Sequence, residues 1–202
     1  GFKVLEGELI IPRAKNLLVS PFETRREFTQ MILHEIDEAE AGREAKITAK
    51  MNSLEDYEII DLLYKASEAG VEIRLLVRGF TCLIPGVEGL SENIYITSVV
   101  DRYLEHGRIY LFENDGDELM FFGSADWMNR NLDRRIEVVT PIYDRDIFEE
   151  LKDILTIQLS DNVKARIQDA GETNQYVKPG KDEHKNRSQY AIYDYLKQKH
   201  NI

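Results

Sequence analysis

"AKITAKMNSLEDYEIIDLLYKASEAGVEIRLLVRG" (residues 45–79) is the stretch that decides the fold. Its first residues alternate: Ile47, Ala49 and Met51 fall on one side, Lys46, Thr48 and Lys50 on the other. That is the pattern of a strand with one face toward a core. Ser53 and Asp56 then supply helix-start chemistry, and Gly70 supplies a stop. "VEIRLLVRG" reads as a second strand. Strand, helix and strand with a short turn make a βαβ unit, so strands 45–51 and 71–78 are predicted to be parallel neighbours. Arg78 then falls at the C-terminal end of the second strand, the edge at which open α/β sheets bind ligands.

On the N-terminal side, "NLLVSPFETRREF" (16–28) gives a short apolar run and a helix start. Ser20 is placed to cap, Pro21 to occupy the first helical position and Glu23 to complete a capping box. The helix is predicted to run to about Ala41 and stop at Gly42, with Phe28, Met31, Ile32, Glu35 and Ile36 along one side. On the C-terminal side, 79–100 reads as a long loop with a short strand near 94–97. Strands 107–113 and 118–123 are joined by "NDGD", whose Asp115-Gly116 is a hairpin signal. "RIEVVTPI" (135–142) is a further strand. A helix opened by Asp144 or Asp146 runs to about Leu159, 169–187 is loop, and a helix covers 188–199. The expected architecture is a mixed α/β domain over 1–168, with helices packed on a largely central sheet. Residues 169–202 form a C-terminal arm packing on it.

The 202 residues carry 37 acidic and 26 basic side chains, a net charge of −11. Broad electrostatic binding of nucleic acid or anionic membrane is disfavoured by such a field, so an anionic ligand needs a local basic pocket. No apolar run reaches spanning length, and "GFKVLEGELIIP" lacks the features of a signal peptide. The first residue is Gly1, so the natural start is expected upstream. The single cysteine, Cys82, excludes an internal disulfide and a thiolate cluster, and a reducing, cytoplasmic setting is the simple reading. Peripheral membrane contact stays open. Cys82 is expected to be a small buried hydrophobe rather than a nucleophile.

"EHGRIYLFENDGDELMFFGSADW" (105–127) carries the chemistry. In an extended chain His106, Arg108, Tyr110 and Phe112 share one face. A histidine here can act as nucleophile or as proton donor and acceptor near neutral pH, and Arg108 can hold a phosphate by paired N–H bonds. The plain alternative is a surface histidine at a strand start. After the hairpin, Gly123-Ser124 is small enough for backbone N–H groups and the Ser124 hydroxyl to approach an anion, with Asp126 following. Arg78, Arg108, Arg130, Arg134 and Arg135 are candidates for a cationic path that overrides the acidic field within a Debye length. Lys50 and Asn52, at the end of the first strand, either face the ligand edge or simply end an exposed strand. Trp127 is expected to pack beneath the Gly-Ser turn. His34, His184 and His200 are read as solvated or incidental. "GSADWMNR" is no P-loop, and no metal-ligand spacing is present.

"HGRIYLFE" (106–113) and "GSADWMNRNLDRRIEV" (123–138) resemble the phospholipase D superfamily pattern, in which His106, Ser124 and Glu137 match. Arg108 stands where that superfamily has lysine, Glu113 near its aspartate and Asp126 at its asparagine. A nearer resemblance accounts for these departures. "LLVRGFTCLIPGVEGLSENI", "SVVDRYLEHGRIYLFENDGD" and "SADWMNRNLDRRIEV" are similar to the C-terminal catalytic region of the family-1 polyphosphate kinases. "SDNVKARIQDA", "NQYVKPG" and "SQYAIYDYL" continue the likeness, which covers the chain from Asn16 onward. It implies a phospholipase D-like mixed sheet flanked by helices on both faces. It also implies reversible transfer of the ATP terminal phosphoryl to inorganic polyphosphate, with Mg²⁺ arriving with ATP or ADP and no nucleic-acid partner. The phosphohistidine of such enzymes belongs to the preceding catalytic domain of the same chain. By resemblance His106 is the second catalytic histidine and Arg78 contacts the nucleotide phosphates. The fragment alone is then expected to be inactive, and the full enzyme to be a homo-oligomer. Two other readings stay open: a phospholipase D-like phosphodiesterase with His106 as nucleophile in a dimeric site, and a noncatalytic polyphosphate- or nucleotide-binding module.

Overall fold

The computed structural model describes residues 17–201. The reading of the N-terminal segment as leaderless, and Asn16 itself, lie outside the described residues. Among these residues eight strands form one sheet: β1 (Leu18–Val19), β2 (Lys46–Met51), β3 (Glu72–Val77), β4 (Ile94–Val99), β5 (Arg108–Phe112), β6 (Leu119–Gly123), β7 (Val138–Pro141) and β8 (Ala165–Gln168). Their order is β1-β7-β6-β5-β2-β3-β4-β8. The β2–β3 and β3–β4 pairs are parallel and the other pairs antiparallel. Four helices flank it: α1 (Thr24–Glu40), α2 (Tyr57–Ala69), α3 (Arg145–Leu159) and α4 (Ser188–His200).

The βαβ unit forms as read. Asp56 caps α2, its carboxylate accepting from Ile59 N at 3.1 Å, and Gly70 ends the helix at φ 100°. A left-handed stop of this kind favours glycine. β2 and β3 pair in register from Lys46–Glu72 to Met51–Val77. Alternation then divides the sheet's residues between two cores. Ile47, Ala49, Tyr110, Phe112 and Phe121 pack with Phe28 and Ile32 of α1 and Ile59 and Leu63 of α2. Ile109, Leu111 and Met120 face the other way, onto Phe148 and Leu155 of α3. Both faces are thus covered by helices, the arrangement expected. Asp144 caps α3 through Asp146 N and Ile147 N, and α4 packs against α3.

Several local expectations are corrected. Ser20 does not cap α1: the helix starts at Thr24 without a side-chain cap, and Ser20 is fully buried with Oγ unpartnered. The helix starts at Thr24, so Pro21, which follows a cis peptide bond, lies before it rather than in its first turn. The strand predicted over 135–142 is confined to Val138–Pro141. β8 is a strand the sequence reading missed, and Ile167 N and Val177 N tie it to the following segment through Gln175 O and Ala165 O. Cys82 is exposed rather than buried, because in this segment Leu83 turns inward. His200 is exposed as read, with Nε2 2.8 Å from Glu150 Oε2 at the surface. No helix among the described residues is long and apolar enough to cross a membrane.

Candidate active site

Strand directions assemble the site. At one edge of the sheet the chain leaves β2 at Asn52, leaves β3 at Arg78 and leaves β6 at Ser124. Because β5 runs antiparallel to β2, and β7 antiparallel to β6, the chain begins β5 just after His106 and β7 just after Glu137 at that same edge. Five chemically useful residues from distant parts of the sequence therefore meet. Four of them, Asn52, His106, Ser124 and Glu137, line a cavity of about 300 Å³ together with Arg130 and Arg135, while Arg78 stands behind Asn52 and His106, outside the lining.

Arg78 donates to Asn52 Oδ1 from Nε at 3.0 Å and from Nη2 at 2.5 Å. Its Nη2 also lies 3.4 Å from His106 Nδ1, and its Nη1 is buried without a partner. His106 is exposed, in the segment that precedes β5. The guanidinium thus stands directly behind an imidazole that lines the opening. Arg130 and Arg135 line it with no hydrogen bond or ion pair to other described residues, so two full cations remain for an anion. Arg134 is exposed but outside the cavity lining.

Arg108 is held differently. It is buried, with Nε donating to Asp126 Oδ1 at 2.9 Å and Nη1 to the His106 carbonyl at 2.6 Å. Asp126 Oδ1 also accepts from Asn52 N at 2.8 Å. Arg108 therefore lines the cavity as a brace that joins β5, β2 and the Gly-Ser turn, with most of its donors spent on protein acceptors. Lys50 points away from the Ile47–Met51 core face, and its ammonium sits 2.5 Å from Glu105. Burial pushes that ammonium below its ordinary value, against the pull of Glu105. Lys50 does not line the cavity.

The Gly-Ser turn is fixed by close approach. A Cβ on Gly123 would overlap the Val138 carbonyl oxygen and lie 2.7 Å from Val139 Cα, so only glycine lets β6 and β7 meet here. Ser124 Oγ donates to Glu137, which also accepts from Asn131 Nδ2 at 2.8 Å. Asn131 was not anticipated; its place in a single π turn, Arg130–Arg134, has no short sequence signature. Trp127 packs beneath the turn as expected, fully buried and stacked on Tyr110 with ring centroids 5.0 Å apart. Glu113 lies at the opposite end of β5, in a separate cavity of about 540 Å³ with Lys46, Glu118 and Lys152. That larger space is remote from the histidine and from the free arginines.

The family model described as polyphosphate kinase C-terminal domain 2 matches residues 17–189. A polyphosphate kinase of Vibrio vulnificus is 50% identical over 183 residues, which cover 91% of this chain and 26% of that protein. The chain thus spans about a quarter of the length of the curated relatives it matches. The crystal structure of polyphosphate kinase from Porphyromonas gingivalis superposes with a TM-score of 0.93 at 45% identity, covering 99% of this chain and 31% of that one. Nuc from Salmonella typhimurium, a phospholipase D family member, matches at a TM-score of 0.55 and 13% identity, covering 76% and 96% of the two chains. That last likeness shows a shared fold.

Proposed function

The chain belongs to the polyphosphate kinase C-terminal domain family, and on that premise we propose that its cavity is half of a site that moves the terminal phosphoryl of ATP reversibly onto inorganic polyphosphate. The other half, with the histidine that becomes phosphorylated, comes from the preceding catalytic domain of the full-length enzyme. In the first step a ring nitrogen of that histidine forms a P–N bond as the bond from the γ-phosphorus to the β,γ-bridging oxygen breaks and ADP leaves. In the second, a terminal oxygen of polyphosphate attacks the phosphorus and the P–N bond breaks. Such transfers need positioning and charge stabilisation more than covalent help from other groups. Arg78 clamps phosphate oxygens with a guanidinium that never loses its proton. His106 donates a proton to the departing oxygen or orients the phosphate chain. Arg130 and Arg135 guide the polyanion.

The observation that carries this reading is the 3.4 Å approach of Arg78 Nη2 to His106 Nδ1, where His106 lines a cavity with unpaired arginines. Magnesium is expected with the nucleotide. The cavity does not suit a protein-held magnesium ion: Asp126 is taken by Arg108 and Asn52 N, and Glu137 by Ser124 and Asn131. Among the described residues no group of three or more His, Cys, Asp or Glu converges.

The test is His106→Ala in the full-length kinase, read as ATP-dependent polyphosphate synthesis. The expected loss is about 10²–10⁴-fold, the range for a general acid or base. Near-normal turnover overturns the reading. Hydrolysis of a simple phosphodiester by the present chain alone points instead to a phosphodiesterase. Retained polyphosphate binding, with no kinetic effect of His106→Ala, points to a binding module.

A further inference from the structure

His106 sits in an irregular segment, 100–107, whose Tyr103 and Leu104 are exposed and make no core contact that would hold it. Its neighbour Glu105 turns toward the protein and meets donors from three elements. Oε2 accepts from Lys50 Nζ of β2 at 2.5 Å and from Gln158 Nε2 of α3. Oε1 accepts from Gln189 Nε2 of α4 at 3.0 Å. Gln189 also takes both backbone groups of Tyr103: Tyr103 N donates to its Oε1 at 2.9 Å and its Nε2 donates to Tyr103 O at 2.8 Å. Two residues earlier, Asp101 is forked by Arg187 at 2.8 and 2.7 Å.

The Lys50 and Glu105 side chains are only 12% and 23% exposed. Ion pairs this enclosed are sensitive to loss of one partner, which leaves the other charge uncompensated. Glu105 is absent from the cavity lining and both its carboxylate oxygens are engaged by protein donors, so it acts through the residue it holds in place rather than on substrate. Its one covalent link to the chemistry is the peptide bond to His106.

We infer that Glu105 is a positioning residue for His106: gripped by Lys50, Gln158 and Gln189, its carboxylate sets where the imidazole stands beside Arg78. The inference rests on the function proposed above. It makes the C-terminal helix α4 part of the catalytic geometry, although α4 contributes nothing to the cavity wall.

The experiment is a double-mutant cycle in the full-length kinase with Glu105→Ala, His106→Ala and the pair. Glu105→Ala is expected to lower kcat about 10²-fold, the scale of a misplacement of about 1 Å, while KM for ATP and for polyphosphate stays within about threefold. In the His106→Ala background the same change is expected to cost nothing further, since residues acting as one unit are not additive. Should Glu105→Ala fail to fold, Glu105→Gln, which keeps the length and one acceptor oxygen, carries the same test. Glu150→Gln, which cuts a different contact between α3 and α4, is the control and is expected to leave kcat unchanged. Unchanged kcat for Glu105→Ala beside an inactive His106→Ala overturns this inference alone. So does an equal further loss in the His106→Ala background, or an equal fall in Glu150→Gln. A fully active His106→Ala overturns the functional reading itself.

Discussion

The two ends of the β2–β5 pair differ in a way that cavity size does not predict. The space at the Glu113 end holds about 540 Å³, against about 300 Å³ at the His106 end. Yet at the Glu113 end the cations are spent: Lys152 on Glu118 at 2.5 Å, Arg74 on Glu72 at 2.5 Å, and Lys46 3.5 Å from the same Glu72 oxygen. Burial, with Glu118 and Glu44 adding to it, pushes the Glu113 carboxyl above its ordinary value. A polyanion arriving there meets acids and neutralised bases. At the smaller cavity Arg130 and Arg135 are unpaired, and behind His106 one nitrogen of Arg78 is buried without a partner. In an acidic protein, spare positive charge marks an anion site better than volume does.

The largest effect expected from this contrast is on catalysis. Arg78→Ala in the full-length kinase should lower kcat about 10²–10³-fold, as removal of one preorganised donor does. Lys152→Ala, at the other end, should leave steady-state turnover unchanged. Comparable losses from both would erase the distinction between the two ends. A smaller effect is expected from Arg130→Gln with Arg135→Gln. Exposed charges of this kind are worth about 0.2–1 kcal/mol each, so KM for polyphosphate should rise several-fold. The dependence of KM on salt should flatten as well, because screening then has fewer charges to act on. An unchanged salt dependence would remove the two arginines from the path.

The smallest effect concerns stability. The folded chain holds the Glu113 proton more tightly than the unfolded chain does. Ionisation therefore opposes folding as pH rises from the ordinary glutamate range through the raised folded value. Glu113→Gln should raise Tm at pH 7 and leave it unchanged at pH 3, where both states are protonated. A lowered Tm at pH 7 would mean that Glu113 has a stabilising cationic partner, and the larger cavity would then resemble the smaller one.

Much of this arrangement is legible in the amino-acid sequence. The βαβ unit was readable because Asp56 and Gly70 act locally and the alternation in 45–51 reports burial directly. Arg78 could be placed at the ligand edge because the short βαβ connection fixes strand direction, whereas His106 was joined to it by the family resemblance. What failed depends on contacts across the fold. Ser20 and Pro21 look like a cap and a first helical residue, but the sheet draws Ser20 in through a bond from its N–H to the Glu137 carbonyl, 2.9 Å long. Arg108 reads as a phosphate ligand until Asp126, 18 positions away, is seen to claim it. Lys50 is similar: its partner Glu105 lies 55 positions off. Cys82 was expected inside because its neighbours are apolar, and no local rule says which of them turns inward.

Because β5 reverses direction, the tight turn at Asn114–Gly116 is carried to the far side of the domain from the histidine. That turn is solvent-facing and built around Asp115 and Gly116 in left-handed conformations. It offers an engineering handle: a dye or affinity peptide spliced there would hang from the far end of β5, a full strand length away from His106.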